Sequence, residues 1–314
     1  MIEHLKGREK ALAEFGWTGR QAEWIALVCL HSGVFTRAQW CAFLRDHPEQ
    51  ARRGVRALIE QGLAREDTTP GVGRIGRVCR IFSRRLYRTL GAEDIRHRRI
   101  TSPEVLLRRL LSLDYVLERA GLAWLPTEPE KVRSFEQLGI PRKRLPQRVY
   151  RGAAGETRRY FALKLPIALE ADRAVFVYID PGHWTDKGLR SWGAAHRGLW
   201  EALRRKGRAV QVVAVAREDG ALERAEKVLR RWAEGTGTKT RSNDPSAARE
   251  YARIKRAVLN GDKATLDAYG GVTPALKRAI ELQSSSQSRS FRLGIDGDST
   301  WLSKRFSGAF FNGG

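Results

Sequence analysis

Apolar positions near the start of the chain repeat at helical spacing. Ala22, Ile25, Leu27 and Val28 recur after Thr18, which reads as an N-cap, and Gly33 ends the run. Thr36 then caps a second short helix, RAQWCAFLRD, closed by His47-Pro48. A third helix, PEQARRGVRALIEQG, has Pro48 at its start and Gly62 at its end. At about 100° per residue, one side of this helix takes the apolar positions. Ala51, Val55, Leu58 and Ile59 share that side. Arg53 lies opposite, flanked by Gln50, Arg56 and Ala57, with Arg52 on the shoulder. The period then shortens. LAREDTT, the turn-rich PGVGRIG and RVCRIFS predict a two-stranded hairpin with a basic, glycine-rich tip, followed by a short helix, RRLYRTLG.

Beyond residue 100 the pattern lengthens. Ser102-Pro103 opens an amphipathic helix in which Leu106, Leu110, Leu113 and Leu117 line one side, joining two domains or two subunits. Prolines and turns in WLPTEPEKVRSFEQLGIPRKRLP mark a boundary. RVYRG and RRYFALKLPIAL read as strands with a turn at AAGET, and RAVFVYID and AVQVVAVA as buried strands. The stretch TDKGLRSWGAAHRGLWEALRRKG between the last two reads as a helix. ALERAEKVLRRWAEG, SAAREYARIKRAVLNG and TPALKRAIELQ are helical, and the Ser/Gly-rich tail is expected to stay loosely ordered until bound. These readings divide the chain into a three-helix-plus-hairpin domain (1–100), a helical linker (101–146), an α/β domain (147–235), a helical segment (236–283) and a flexible tail (284–314). The expected fold class is α+β, with an N-terminal winged helix-turn-helix.

Charge sharpens this picture. The 314 residues carry a formal net charge of +23 with 42% hydrophobic residues, which points to a globular protein with a polyanionic partner. Nine arginines lie between Arg74 and Arg99, against two acids, Glu93 and Asp94. Each charged face alone reads as a solvated surface. Together, an apolar-faced helix with an arginine outer face and a basic hairpin after it predict a winged helix on double-stranded DNA. Gln50, Arg53 and Arg56 are expected to read bases. Arg52, Arg74, Arg77, Arg80, Arg84 and Arg85 are expected to hold phosphates.

Signals for catalysis are weak. Cys29, Cys41 and Cys79 form no CxxC pair and read as reduced thiols of a cytoplasmic protein, and no spacing suits zinc. No 18-residue apolar stretch and no signal-peptide core occur, so no membrane partner is expected. The β-β-β-α-β order after residue 147 is that of restriction-endonuclease-like enzymes, which hold a metal with Asp and Glu-x-Lys. Here VFVYIDPG offers only Asp180, better read as a strand-ending turn, and Lys164 and Glu170 have the wrong spacing. His183 and His196 have no nucleophile arranged beside them, and Trp184, Trp192 and Trp200 read as a core stripe. No nucleotide-binding glycine loop is present. No cofactor, metal or catalytic residue is therefore expected.

The order of these segments resembles the replication-relaxation type of winged-helix protein found on plasmids and integrative elements. The resemblance rests on residues 18–90, on 147–216, and on the bridging run SLDYVLERAGLAWLPTEPEKV. It implies an N-terminal winged helix followed by a degenerate nuclease-like α/β domain. The expected function is DNA binding without catalysis, in transcriptional regulation or as a replication or transfer accessory. A homodimer, or a protein partner on the α/β domain, is compatible with the pattern. A metal-dependent nuclease using Asp180 and an RNA-binding scaffold are the alternatives.

Overall fold

The computed structural model describes residues 3–68, 77–99, 101–152, 155–180, 182, 185–234, 238–240, 245–285, 289–291 and 294–303. The chain is mixed α+β. It forms two compact units, one from Met1–Ala233 with Gly294–Gly314 and one from Glu234–Leu293.

In the first unit, helix α1 (Gly19–His31) leads through β1 (Val34–Phe35) into α2 (Arg37–Leu44) and α3 (Pro48–Glu60). Strands β2 (Ala64–Thr68) and β3 (Arg77–Ile81) and helix α4 (Arg84–Thr89) follow. The strands form an antiparallel sheet of order β1-β3-β2, with Val34 opposite Arg80 and Ala64 opposite Ile81. The Thr36 hydroxyl accepts from the Gln39 amide while the Gln39 side chain accepts from the Thr36 amide, a reciprocal cap that starts α2. Pro48 begins α3 as expected. The core here is aromatic: the Trp24 ring meets Phe35 edge-on at 5.3 Å, and Trp40 lies 5.8 Å from Phe35.

Two details depart from the helical projection. Ile59 is 40% exposed, and Gly54 takes its place in the interface between α2 and α3. A Cβ on Gly54 would lie 2.3 Å from Cζ2 of Trp40, so only glycine allows this approach. Ahead of α1, the segments Glu3–Leu5 and Arg8–Phe15 form 3-10 turns against it, burying Leu5 and Leu12. The pattern of apolar positions gives no sign of this packing.

Helix α5 (Pro103–Glu118) is not a linker. Leu107, Leu110, Leu111, Leu113 and Val116 are all buried, because the helix is apolar on more than one side. Helix α6 (Glu128–Gln137) fills part of the expected boundary region and is started by a second reciprocal cap between Thr127 and Glu130. Among the described residues, strands β4 (Gln147–Gly152) and β5 (Gly155–Tyr160) pair only with each other. The predicted strand RRYFALKLPIAL breaks after Tyr160. There Phe161 and Lys164 adopt φ of 49° and 56°, left-handed values that end extended structure. Its second part is β6 (Ile167–Leu169). Then come β7 (Arg173–Ile179), α7 (Lys187–Arg205), β8 (Ala209–Ala216) and α8 (Asp219–Ala233). Helix α5 packs on α1 and β1, and also on β7 and β8, so no boundary separates residues 1–100 from the α/β part.

The second unit contains β9 (Thr238–Thr240), α9 (Pro245–Asn260), α10 (Lys263–Asp267), α11 (Val272–Ser285) and β10 (Arg289–Phe291). Ile254, Ala257, Leu266, Ala275 and Ala279 form its own small core. The chain then returns to the first unit as β11 (Gly297–Leu302), parallel to β8. The resulting sheet has the order β11-β8-β7-β6, with β6 antiparallel to β7 and the other pairs parallel. Part of the expected flexible tail is thus sheet. Its end is fixed by a buried bond in which the Ser303 hydroxyl donates to Asp114 Oδ2 at 2.6 Å. Gln39 Nε2 in turn donates to the Leu110 carbonyl at 3.0 Å and lies 3.5 Å from Asp114 Oδ1. One buried carboxylate therefore ties α2, α5 and the end of β11 together.

Candidate nucleic-acid interface

Helix α3 buries Ala51, Gly54, Val55 and Leu58 and exposes Arg52, Arg53 and Arg56, with Gln50 beside them on the same outer side. The predicted outer face is therefore brought together on one element. Glu49 sits at its first turn, 2.9 Å from Arg52 and 3.6 Å from Arg53. The hydrogen bond from Arg52 holds the Glu49 carboxyl below the usual carboxylate range. That acid neutralises part of the face, while Arg56 makes no ion pair among the described residues. Arg45 to His47 form the three-residue turn from α2, with Arg45 left-handed at φ 59°.

The hairpin arginines divide. Arg77 is exposed at the start of β3, and Arg74 lies outside the described residues. Arg80 corrects the expectation: it is 6% exposed, its Nε lies 3.1 Å from Asp67 and its Nη1 donates to the Arg98 carbonyl. It points inward because strand β3 is the middle of its sheet and packs on both sides, so Arg80 holds the fold and no phosphate. Arg84 and Arg88 are exposed but share Glu93. Arg85 pairs with Glu14 at 3.2 Å and stacks 4.9 Å over Phe15, which ties α4 to the N-terminal segment.

In the α/β part, the carboxylates weighed as metal ligands are engaged in local structure. Asp180 accepts from the Gly182 amide at 2.9 Å, the turn expected at the end of β7. Glu170 accepts from the Ala123 amide at 2.8 Å. Among the described residues no group of three or more His, Cys, Asp or Glu could hold a metal ion. His196 is buried among Trp192, Trp200 and Phe176, with Nδ1 2.8 Å from the Trp192 carbonyl. Burial lowers its pKa to about 4, so it is a neutral packing residue. His183 and Trp184 lie outside the described residues.

A basic feature that the strand pattern does not single out is the β4–β5 ribbon, which carries Arg148, Arg151, Arg158 and Arg159. The alternation of arginine with Val149 and Tyr150 is the available signal. A buried cluster also escapes the sequence pattern. His4 and His31 approach at 3.2 Å between their Nε2 atoms, near Arg8, which pairs with Glu130. Lys131, 3% exposed, donates to the Leu165 carbonyl at 2.7 Å, and burial lowers it to about 7. No helix among the described residues is long and apolar enough to cross a membrane. Comparison of the chain with protein-family profiles, with curated proteins and with solved structures returned no match.

Proposed function

We propose that residues 19–89 form a winged helix-turn-helix that binds double-stranded DNA, with α3 in the major groove and the β2–β3 hairpin as the wing. One observation carries this reading. Helix α3 turns Gln50, Arg52, Arg53 and Arg56 outward from a rigid aromatic core, joined to α2 by a three-residue turn. Arginine in such a position meets guanine edges and phosphates. Arg77 and Arg85, both exposed, supply flanking contacts, whereas buried Arg80 supplies none. The α/β part then acts as a scaffold, in a regulator or in a replication or transfer accessory of a mobile element. The engaged Asp180 favours binding over metal-dependent cleavage.

The test is fluorescence anisotropy on a selected duplex site and on random duplex. Arg53→Ala should cost about 1–3 kcal/mol on the selected site and little on random DNA. Equal losses on both would show that α3 reads no sequence. Supercoiled plasmid incubated with Mg²⁺ should stay intact, and nicking that vanishes in Asp180→Ala would overturn the binding-only reading.

A further inference from the structure

Strands β4 and β5 form a ribbon that pairs with no other strand among the described residues. Two-stranded hairpins are marginal in water on their own. Here Arg148 stands directly opposite Arg159, and like charges in that register oppose pairing. Arg151 and Arg158 add to the charge, with side chains 83% and 60% exposed, and Glu156 is the one acid among the described residues of the ribbon. Glu156 lies 3.1 Å from Arg158 and 3.7 Å from Arg151, and Arg159 lies 4.0 Å from Glu128. One acid shared between two arginines leaves the described residues of the ribbon with excess positive charge, which suits an anionic partner.

The ribbon's register shows where that partner would lie. Arg148, Tyr150, Thr157 and Arg159 share one face, and Tyr150 is 47% exposed. The Arg148 guanidinium lies 5.7 Å from the centre of the Tyr150 ring. The same face lines a cavity of about 360 Å³ that reaches Asp94, Glu128, Phe161 and Lys164. That volume falls in the roughly 300–1,000 Å³ range of small-molecule sites. Phe161 and Lys164, which also line it, both hold left-handed backbone conformations that bulky residues rarely adopt. Glu128 is engaged by the Tyr160 amide at 2.8 Å and by Arg159 at 4.0 Å, so the cavity offers an aromatic ring, the Asp94 carboxylate as an acceptor of N–H groups, and cations at the rim.

We propose that the β4–β5 ribbon and the cavity beside it bind an unpaired nucleic-acid strand. Phosphates lie along Arg148 and Arg159, with Arg151 and Arg158 on the opposite face adding to the positive field, and one base enters the cavity beside Tyr150. A base in a duplex would first have to leave its stack, which separates this site from duplex reading by α3. Stacking on a tyrosine is sequence-tolerant, whereas the Asp94 carboxylate favours bases with exocyclic amino groups, such as adenine and cytosine, over thymine.

The experiment uses the full chain and fluorescein-labelled 12-nucleotide strands of dA, dC and dT, the matching RNA, AMP and vesicles of anionic phospholipid. Binding to dA or dC should exceed binding to dT. Tyr150→Ala should weaken it about 5- to 150-fold, and Tyr150→Phe should restore most of the loss. Arg148→Gln with Arg159→Gln should lower the salt slope by about 0.7 for each phosphate no longer held. Circular dichroism and melting of each variant check that the fold is kept. Binding of DNA or RNA strands supports the site if it responds to these variants. Strand binding that ignores Tyr150, AMP binding with no gain from a strand, or vesicle binding without strand binding each overturns it. Arg53→Ala should leave strand binding unchanged, so failure of the α3 reading and failure of this one are separable.

Discussion

Gly54→Ala tests the packing that positions α3. At an exposed helix site this change stabilises by about 1 kcal/mol, since alanine is the better helix former. Here the new Cβ would lie 2.3 Å from Cζ2 and 2.6 Å from Cη2 of Trp40, far inside contact distance. The indole cannot swing away freely, with Trp24, Phe35 and Trp17 rings centred 6.1, 5.8 and 6.5 Å from it. Overpacking of this kind costs about 1–3 kcal/mol, so after the gain in helix propensity the net effect is a loss of up to about 2 kcal/mol. Trp40→Phe removes the two clashing atoms and an indole N–H that has no hydrogen-bond partner among the described residues. The double variant should therefore recover at least about 1 kcal/mol relative to the sum of the single changes. Urea unfolding of the four proteins, followed by tryptophan fluorescence and circular dichroism, measures the cycle. A stabilised Gly54→Ala protein, or additivity within about 0.5 kcal/mol, would refute the close α2–α3 approach.

Further outcomes follow from other parts of the molecule. With about five phosphate contacts, duplex affinity should fall roughly 500-fold between 50 and 200 mM salt, and a flat response in a salt titration would remove the basic surface from the interface. Ser303→Ala leaves the buried Asp114 carboxylate short of one donor and should cost about 1–3 kcal/mol in denaturant unfolding; an unchanged midpoint would refute the tie. Stability should also fall on acidification. His4 and His196 are lowered to about 4, and His31 and His97 well below their ordinary value, all chiefly by burial. The unfolded chain binds their protons first, from about pH 6.5 downward, so the histidine contribution to stability is full above that pH and is lost as pH falls toward 4. Each histidine contributes a slope of about 1.4 kcal/mol per pH unit in that window, and a flat melting profile between pH 7 and 5 would contradict their burial.

The elements that can be read from the sequence are those whose signals are local. Thr36, Pro48 and Gly62 punctuate the helices around α3, and the outer positions Gln50, Arg52, Arg53 and Arg56 follow from a 3.6-residue period. Arg80 defeats the pattern because a charged residue in a half-apolar strand gives no sign of which face is covered, and its partner Asp67 comes from the neighbouring strand. Helix α6 carries a readable cap, Thr127 with Glu130, that the prolines around it obscure. Helix α5 has the look of a linker because a leucine stripe does not say how many layers it will join. Strand β11 has no signal at all: GDSTWL is short and polar, and it is a strand only because β8 offers it an edge.

That returning strand sets the order of events during synthesis. Strand β8, AVQVVAVA, is uncharged and mostly buried, and its outer edge is covered by residues 297–302. On a ribosome, 86 residues separate the end of β8 at Ala216 from the end of β11 at Leu302. At about 5–20 residues per second the edge stays uncovered for about 4–17 s after it is made. Bare edges of that composition pair readily with other chains. The nascent protein therefore passes through a stage in which an uncharged, apolar strand edge is open, while the second unit, with a core of its own, is being completed. Faster translation of residues 217–302 should raise soluble yield, and a stall in that stretch should lower it.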